Sequence, residues 1–259
     1  MQNNLRSLIF RKFIGNKIFT INKPRLNKLS LVYFKKKLNK NFKPVSELYL
    51  ESGENIGVKD DNLGLELWMP EEKGKNSYPP FKKIINFSKL KKIAIAPGAN
   101  YYTKRWPAER FAELAGKLVE NYNFEIFILG GEKDKQIGEY IKIANIDKHS
   151  IFDCTNSSSI IDTTRVIDNC SLLITNDTGV MHIASARQTP VIALFGSSVR
   201  DFGFSPYRVK NIILEKNVKC RPCSHIGRNY CPEKHFKCML EISINDVLKA
   251  VQEIIGIYD

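Results

Sequence analysis

No apolar run among the 259 residues approaches the roughly 18 to 20 that a membrane-spanning helix needs. The longest candidates, Leu29 to Phe34 and Val191 to Phe195, have the length of a core strand or of one helix face. The start of the chain is basic but has no continuous apolar stretch ending in a small-residue cleavage site, so a secretory signal is not expected. Internal repeats and low-complexity tracts are also missing, which argues against solenoids and linker-like chains. Acid is missing from the front: residues 1–46 hold 12 Lys or Arg and no Asp or Glu, and so carry almost all of the net charge of +13. A cationic stretch of this size favours phosphate-rich or anionic-membrane partners. No recognised nucleic-acid motif accompanies it, so nucleic acid is not an expected partner.

What is present is an alternation of short apolar runs with amphipathic segments, the pattern of a parallel α/β sheet. Strands are expected at 91–97, 124–130, 150–154, 171–176, 190–195 and 211–214, with helices at about 107–122, 132–145, 158–169, 179–187 and a last one over 244–255. Residues 17–60 read as a strand over Lys17 to Asn22, a basic helical stretch and a helix near Val45 to Ser52. Between Glu71 and Lys91, Gly74, Pro79, Pro80 and several lysines suggest a connection between two domains.

Two strand-to-helix turns carry the chemistry. In TNDTGVMHIASA, from Thr175, an apolar strand runs into Asp177, Thr178 and Gly179 and then a helix, with His182 about one turn inside it. At the carboxyl end of a parallel strand such a turn offers unpaired N–H groups and a partial positive charge to an anion. The alternative is that Asp-Thr-Gly merely caps its helix. In PGANYYTKRWP, from Pro97, the small-residue turn Gly98-Ala99-Asn100 follows another apolar strand, and Lys104 can reach back over it toward phosphate. Trp106 and Phe111 read as core, and Arg105 and Arg110 as solvated. Cys220, Cys223, Cys231 and Cys238 form C-x2-C-x7-C-x6-C, a spacing compatible with structural zinc, with inert or redox-capable thiols or with disulfides. Cys154 and Cys170 read as buried.

Taken in order, PGA..YTKRWP.ERFAEL (Pro97 to Leu114), ILGGEKD (Ile128 to Asp134), TNDTGVMHIA (Thr175 to Ala184), P.IALFG (Pro190 to Gly196) and CRPC.......CP...F.CM (Cys220 to Met239) resemble glycosyltransferase family 9, the heptosyltransferases of the lipopolysaccharide inner core. The resemblance covers about residues 90–255. It implies a GT-B fold with a complete C-terminal Rossmann-like domain, 76–259, preceded by a partial N-terminal acceptor domain and linker, 1–75. It further implies that ADP-heptose donates its sugar with inversion, without a metal or other cofactor. Ala99, Asn100 and Lys104 would hold the diphosphate, and Asp177, Thr178, Gly179 and His182 would surround the adenosine diphosphate. Asp134 would meet the ribose hydroxyls, although Glu132 and Asp134 could equally serve as helix-start charge. The acceptor would be an anionic lipopolysaccharide precursor at the cytoplasmic face of the inner membrane. In this family the cysteine cluster has no established metal role.

Two features of the family's front end have no counterpart here: a glycine-rich first turn, and the carboxylate proposed to deprotonate the acceptor. Roughly the first 80 to 100 residues of a typical member are therefore expected to be missing, and the base with them; Glu47, Glu51 and Asp60 are the fallback acids. The alternatives are a family 9 enzyme with another nucleotide-sugar, or a non-catalytic ADP-binding remnant.

Overall fold

The apolar runs become strands, and every pairing among them is parallel. The computed structural model describes residues 19–21, 23–37, 43–70, 91–155 and 159–257. Within these, β1 (Lys92–Ala96), β2 (Glu125–Ile128), β3 (Ile151–Asp153), β4 (Leu172–Asn176), β5 (Val191–Phe195) and β6 (Asn211–Glu215) form one sheet. Its order is β3-β2-β1-β4-β5-β6. Ile93 in β1 faces Ile126 of β2 on one side and Leu172 of β4 on the other. Strands β4 and β5 are buried along their whole length, which is why they read as continuous apolar runs rather than as alternation.

Eight α-helices accompany the sheet among the described residues. Two precede it, α1 (Arg25–Phe34) and α2 (Val45–Glu51). The others are α3 (Ala108–Tyr122), α4 (Lys135–Ile143), α5 (Ile160–Asp168), α6 (Gly179–Ala186), α7 (Lys237–Leu240) and α8 (Ile244–Ile255). Ile93 and Ile95 pack with Phe111, Leu114 and Leu118 of α3, Ile141 of α4 and Val247, Val251 and Ile254 of α8 on one face. Ala94 and Ala96 pack with Val166 and Ile167 of α5 and Met181 and Ala184 of α6 on the other. Three layers result, and the elements leave the sheet in one direction through β3 and in the other from β4. The switch lies between β1 and β4, where a doubly wound sheet opens its ligand crevice.

The expected helix over 132–145 is shortened by a 3-10 turn, Glu132–Asp134, ahead of α4. Of the strand expected over Lys17 to Asn22, residues 19–21 are described and form no strand. The expected interdomain connection between Glu71 and Lys91 falls almost wholly outside the described residues.

The last helix, α8, packs on this sheet: Ser243 and Asp246 close a capping box at its start, and Lys210 donates to the Ile254 carbonyl near its end at 2.7 Å. The described front part docks on the β5–β6 side. The Val45 N–H donates to the Gly203 carbonyl at 3.0 Å, Arg187 donates to the Leu67 carbonyl at 2.9 Å, and Arg208 forms a forked pair with Asp60. That fork holds the Asp60 carboxyl down at about 2.

Candidate functional site

At the carboxyl end of β4, Asn176 is fully buried and joins the two chemistry-bearing turns. Its amide donates to the Pro97 carbonyl at 2.8 Å, and its side-chain oxygen accepts from the Trp106 N–H at 3.1 Å. The turn after β1 is thereby pinned on both sides to the strand next to it. Trp106 itself is core, 1% exposed, and donates its indole N–H to the Ile242 carbonyl at 2.9 Å.

Pinning places Lys104 against Asp177: Nζ lies 2.6 Å from Oδ2, with the side chains only 16% and 9% exposed. The same Oδ2 accepts from Ser198 Oγ at 2.6 Å. The turns after β1, β4 and β5 therefore meet at one carboxylate. This decides the reading of Asp-Thr-Gly as a helix cap. Asp177 is engaged elsewhere, and Thr178, the residue before α6, makes no side-chain cap bond. The first N–H groups of α6 are thus left without a capping side chain at the edge of the cleft.

Around this knot opens a cleft of about 1060 Å³ whose lining includes Ala99, Asn100, Lys104, Asp134, Asp177, Thr178, Gly179 and His182. All eight residues expected at the donor site thus share one space. Asp134 lies over the turn after β1: a Cβ on Gly98 would come within 2.1 Å of its carboxylate, which would have to move away. Its Oδ2 also accepts from the Gly131 N–H at 3.0 Å, so it caps the 3-10 turn as well as lining the cleft. His182 has its pKa lowered from 6.5, first by burial and then by Lys104, with Asp177 opposing. It is accordingly a neutral imidazole at neutral pH.

The arginines of the first turn are not solvated. Arg105 donates from Nε to the Ala99 carbonyl at 2.7 Å, and Arg110 reaches the Ile242 carbonyl. Both are half-buried, because the backbone carbonyls they satisfy come from tertiary neighbours that the local pattern does not reveal.

Sequence reasoning also missed what the C-terminal cysteine segment does. Arg221 donates to the carbonyls of Gly196 and Ser198, at 2.5 and 2.7 Å, and to that of Lys216; it also pairs with Glu215 at 2.9 Å. A few residues on, the Arg228 carbonyl accepts from the Thr103 N–H at 3.0 Å, next to Lys104. The segment thus holds both Ser198 and Lys104 from behind. The one visible signal was an arginine between two cysteines.

The four cysteines are free thiols, with Cys220 Sγ 3.8 Å from His235 Nε2. Among the described residues no group of three or more His, Cys, Asp or Glu is arranged to hold a metal ion. Burial pushes the Cys238 thiol up to about 11, and Cys154 and Cys170 are buried as expected.

A profile of glycosyltransferase family 9 (heptosyltransferase) matches residues 2–234. Lipooligosaccharide heptosyltransferase 2 of Campylobacter jejuni is 28% identical over 164 residues, which are 62% of this chain and 51% of that protein. Lipopolysaccharide heptosyltransferase 2 of Salmonella typhimurium is 34% identical over 114 residues, 42% of this chain and 32% of that protein. The chain thus spans about half, or less, of the curated relatives it matches. A family 9 glycosyl transferase from Veillonella parvula superposes with a TM-score of 0.70 at 23% identity, covering 95% of this chain and 64% of that one. The E. coli ADP-heptose lps heptosyltransferase II superposes with a TM-score of 0.56 at 24% identity, covering 67% and 49%. Both share the fold.

Replacing Arg221 tests the clamp. Arg221→Ala leaves several buried carbonyls unsatisfied and should cost about 2 to 4 kcal/mol in urea unfolding. Arg221→Lys should recover less than half of that, because a single ammonium cannot reproduce the guanidinium fork. Full recovery by lysine would show that only the charge matters.

Proposed function

The chain belongs to glycosyltransferase family 9, and on that premise we propose that its cleft binds ADP-heptose for inverting transfer of heptose to the lipopolysaccharide core. The observation that carries the reading is the Lys104–Asp177–Ser198 knot at the topological switch point, beside the uncapped start of α6. An inverting displacement needs positive charge already in place where the diphosphate departs. Lys104 and the α6 N–H groups supply it with this chain's own atoms. The sugar and acceptor come from the names of the heptosyltransferase relatives. In this reading residues 76–259 are the donor domain and 1–75 belong to the acceptor side. Its support is that the sheet begins at Lys92, while residues 43–70 dock on the sheet's edge without joining it.

The acceptor's proton needs a base, and the fallback acids are occupied. Glu47 accepts from Tyr207 Oη at 3.3 Å, Glu51 pairs with Lys43 and Asp60 with Arg208. None of the three lines the cleft. In this reading the base comes from the part of the relatives that the match does not reach. A family 9 enzyme for another nucleotide-sugar and a non-catalytic ADP-binding remnant are the competing outcomes.

Acceptor placement follows the charge. Residues 1–46 carry +12, and α1 exposes Leu26, Leu29, Tyr33 and Phe34. No helix among the described residues is long and apolar enough to cross a membrane. A peripheral contact with the anionic inner face of the cytoplasmic membrane fits this surface.

The experiment measures ADP release from ADP-heptose with a heptose-deficient lipopolysaccharide acceptor. A chain extended by the relatives' N-terminal region should turn over, and the 259-residue chain should be at least about 10²-fold slower, the usual contribution of a general base. Robust turnover by the shorter chain would place the base within it. Separately, the chain should bind anionic but not neutral vesicles, more weakly as salt rises. Equal binding to both would remove the membrane contact.

A further inference from the structure

We propose that the rim of the cleft holds a second anion subsite, formed by Lys28 over the Phe204 ring together with His225, which takes a phosphate or carboxylate group of the acceptor. Assigning this anion to the acceptor rests on the glycosyl-transfer reading above. Lys28, in the first turn of α1, is half-buried, and its Nζ stands 5.0 Å from the centre of the Phe204 ring. Phe204 and His225 both line the cleft that contains Lys104. His225 is held by an edge contact with Phe202, ring centres 5.1 Å apart. Three elements distant in sequence therefore meet at the rim: the start of α1 brings Lys28, the turn after β5 brings the Phe204 ring and the segment after Cys223 brings His225.

Among the described residues no carboxylate acts on Lys28 or His225. Burial is the main cause lowering the Lys28 pKa, with Lys23 adding to it, and among the described residues Lys28 has no carboxylate partner. The His225 pKa is lowered first by burial and then by Lys28, Lys104 and Lys23, so all three ammonium groups act on the same ring. Asp177, a carboxylate that lines the same cleft, is already held by Lys104 and Ser198. A half-buried ammonium with no counter-ion is costly, and an arriving anion removes that cost. A compact ammonium beside a polarisable ring suits phosphate. The subsite differs from the Lys104 pole, because Lys104 projects from the turn after β1 and already has a carboxylate partner in Asp177.

The test uses the full chain saturated with ADP, inorganic phosphate as the probe and the His225 imidazole NMR signal as the reporter. An anion beside Lys28 favours the imidazolium, so phosphate should shift His225 saturably and raise its pKa back toward 6.5 or above. Lys28→Ala should weaken phosphate about tenfold, the loss of one charge-assisted contact, while ADP affinity moves less than about twofold. Lys28→Arg should retain most of the response, and Lys23→Gln, away from the helix interior, should weaken it in the same direction. A phosphorylated inner-core saccharide should bind through the same groups more tightly than phosphate. Competition between phosphate and ADP, or an unchanged response in Lys28→Ala and Lys23→Gln, would overturn the subsite. Equal affinity for saccharide and free phosphate would overturn its assignment to the acceptor. A phosphate response in a chain that fails to bind ADP would support the subsite and reject the donor reading.

Discussion

The ion pair between Lys104 and Asp177 is the contact on which the rest of the site depends. It joins the turns after β1 and β4, the two strands flanking the switch point, and through Ser198 it also takes in the turn after β5. A pair this well buried contributes little net stability, since desolvating two charges offsets much of their attraction. Removing either partner alone is another matter, because the survivor is left charged and unanswered. The pair therefore acts as a positioning device. It keeps a cation fixed beside the open start of α6 before any ligand arrives, so less ordering remains to be done on binding.

Support for that device comes from two layers. Asn176 fixes the first turn to β4 from within the core, and Arg221 with the backbone of Arg228 braces Ser198 and Thr103 from the cysteine segment. The segment's place in the fold is accounted for by these hydrogen bonds. Three turns, each flexible alone, are thereby over-determined, which is how a loop-built site on a rigid sheet reaches useful precision.

Much of this was legible in the sequence, for physical reasons. Buried parallel strands are continuous apolar runs, so β1 to β6 could be placed to within a residue or two, and the amphipathic period placed α8. That the eight residues expected at the donor site would share one cleft was legible because strand-to-helix turns in such a sheet all open on one side. What was not legible lies in tertiary pairing. Arg105 and Arg110 look like solvent charges until the carbonyls of Ala99 and Ile242 are brought to them. The Asp-Thr-Gly ambiguity could be settled only by finding the Asp177 carboxylate on Lys104. Ser198 carries no local pattern that marks it, and Arg221 only its place between two cysteines. The surface that α8 covers could not be read either, because an amphipathic helix announces an apolar face without saying what packs on it.

A calorimetric titration of the chain with ADP, UDP and GDP, repeated on Lys104→Ala, tests the central claim most directly. ADP should bind one-to-one and more tightly than the other two, and Lys104→Ala should lose about 1.5 to 3 kcal/mol of ADP affinity. No saturable binding of any nucleoside diphosphate, or an ADP affinity unchanged in Lys104→Ala, would contradict the account.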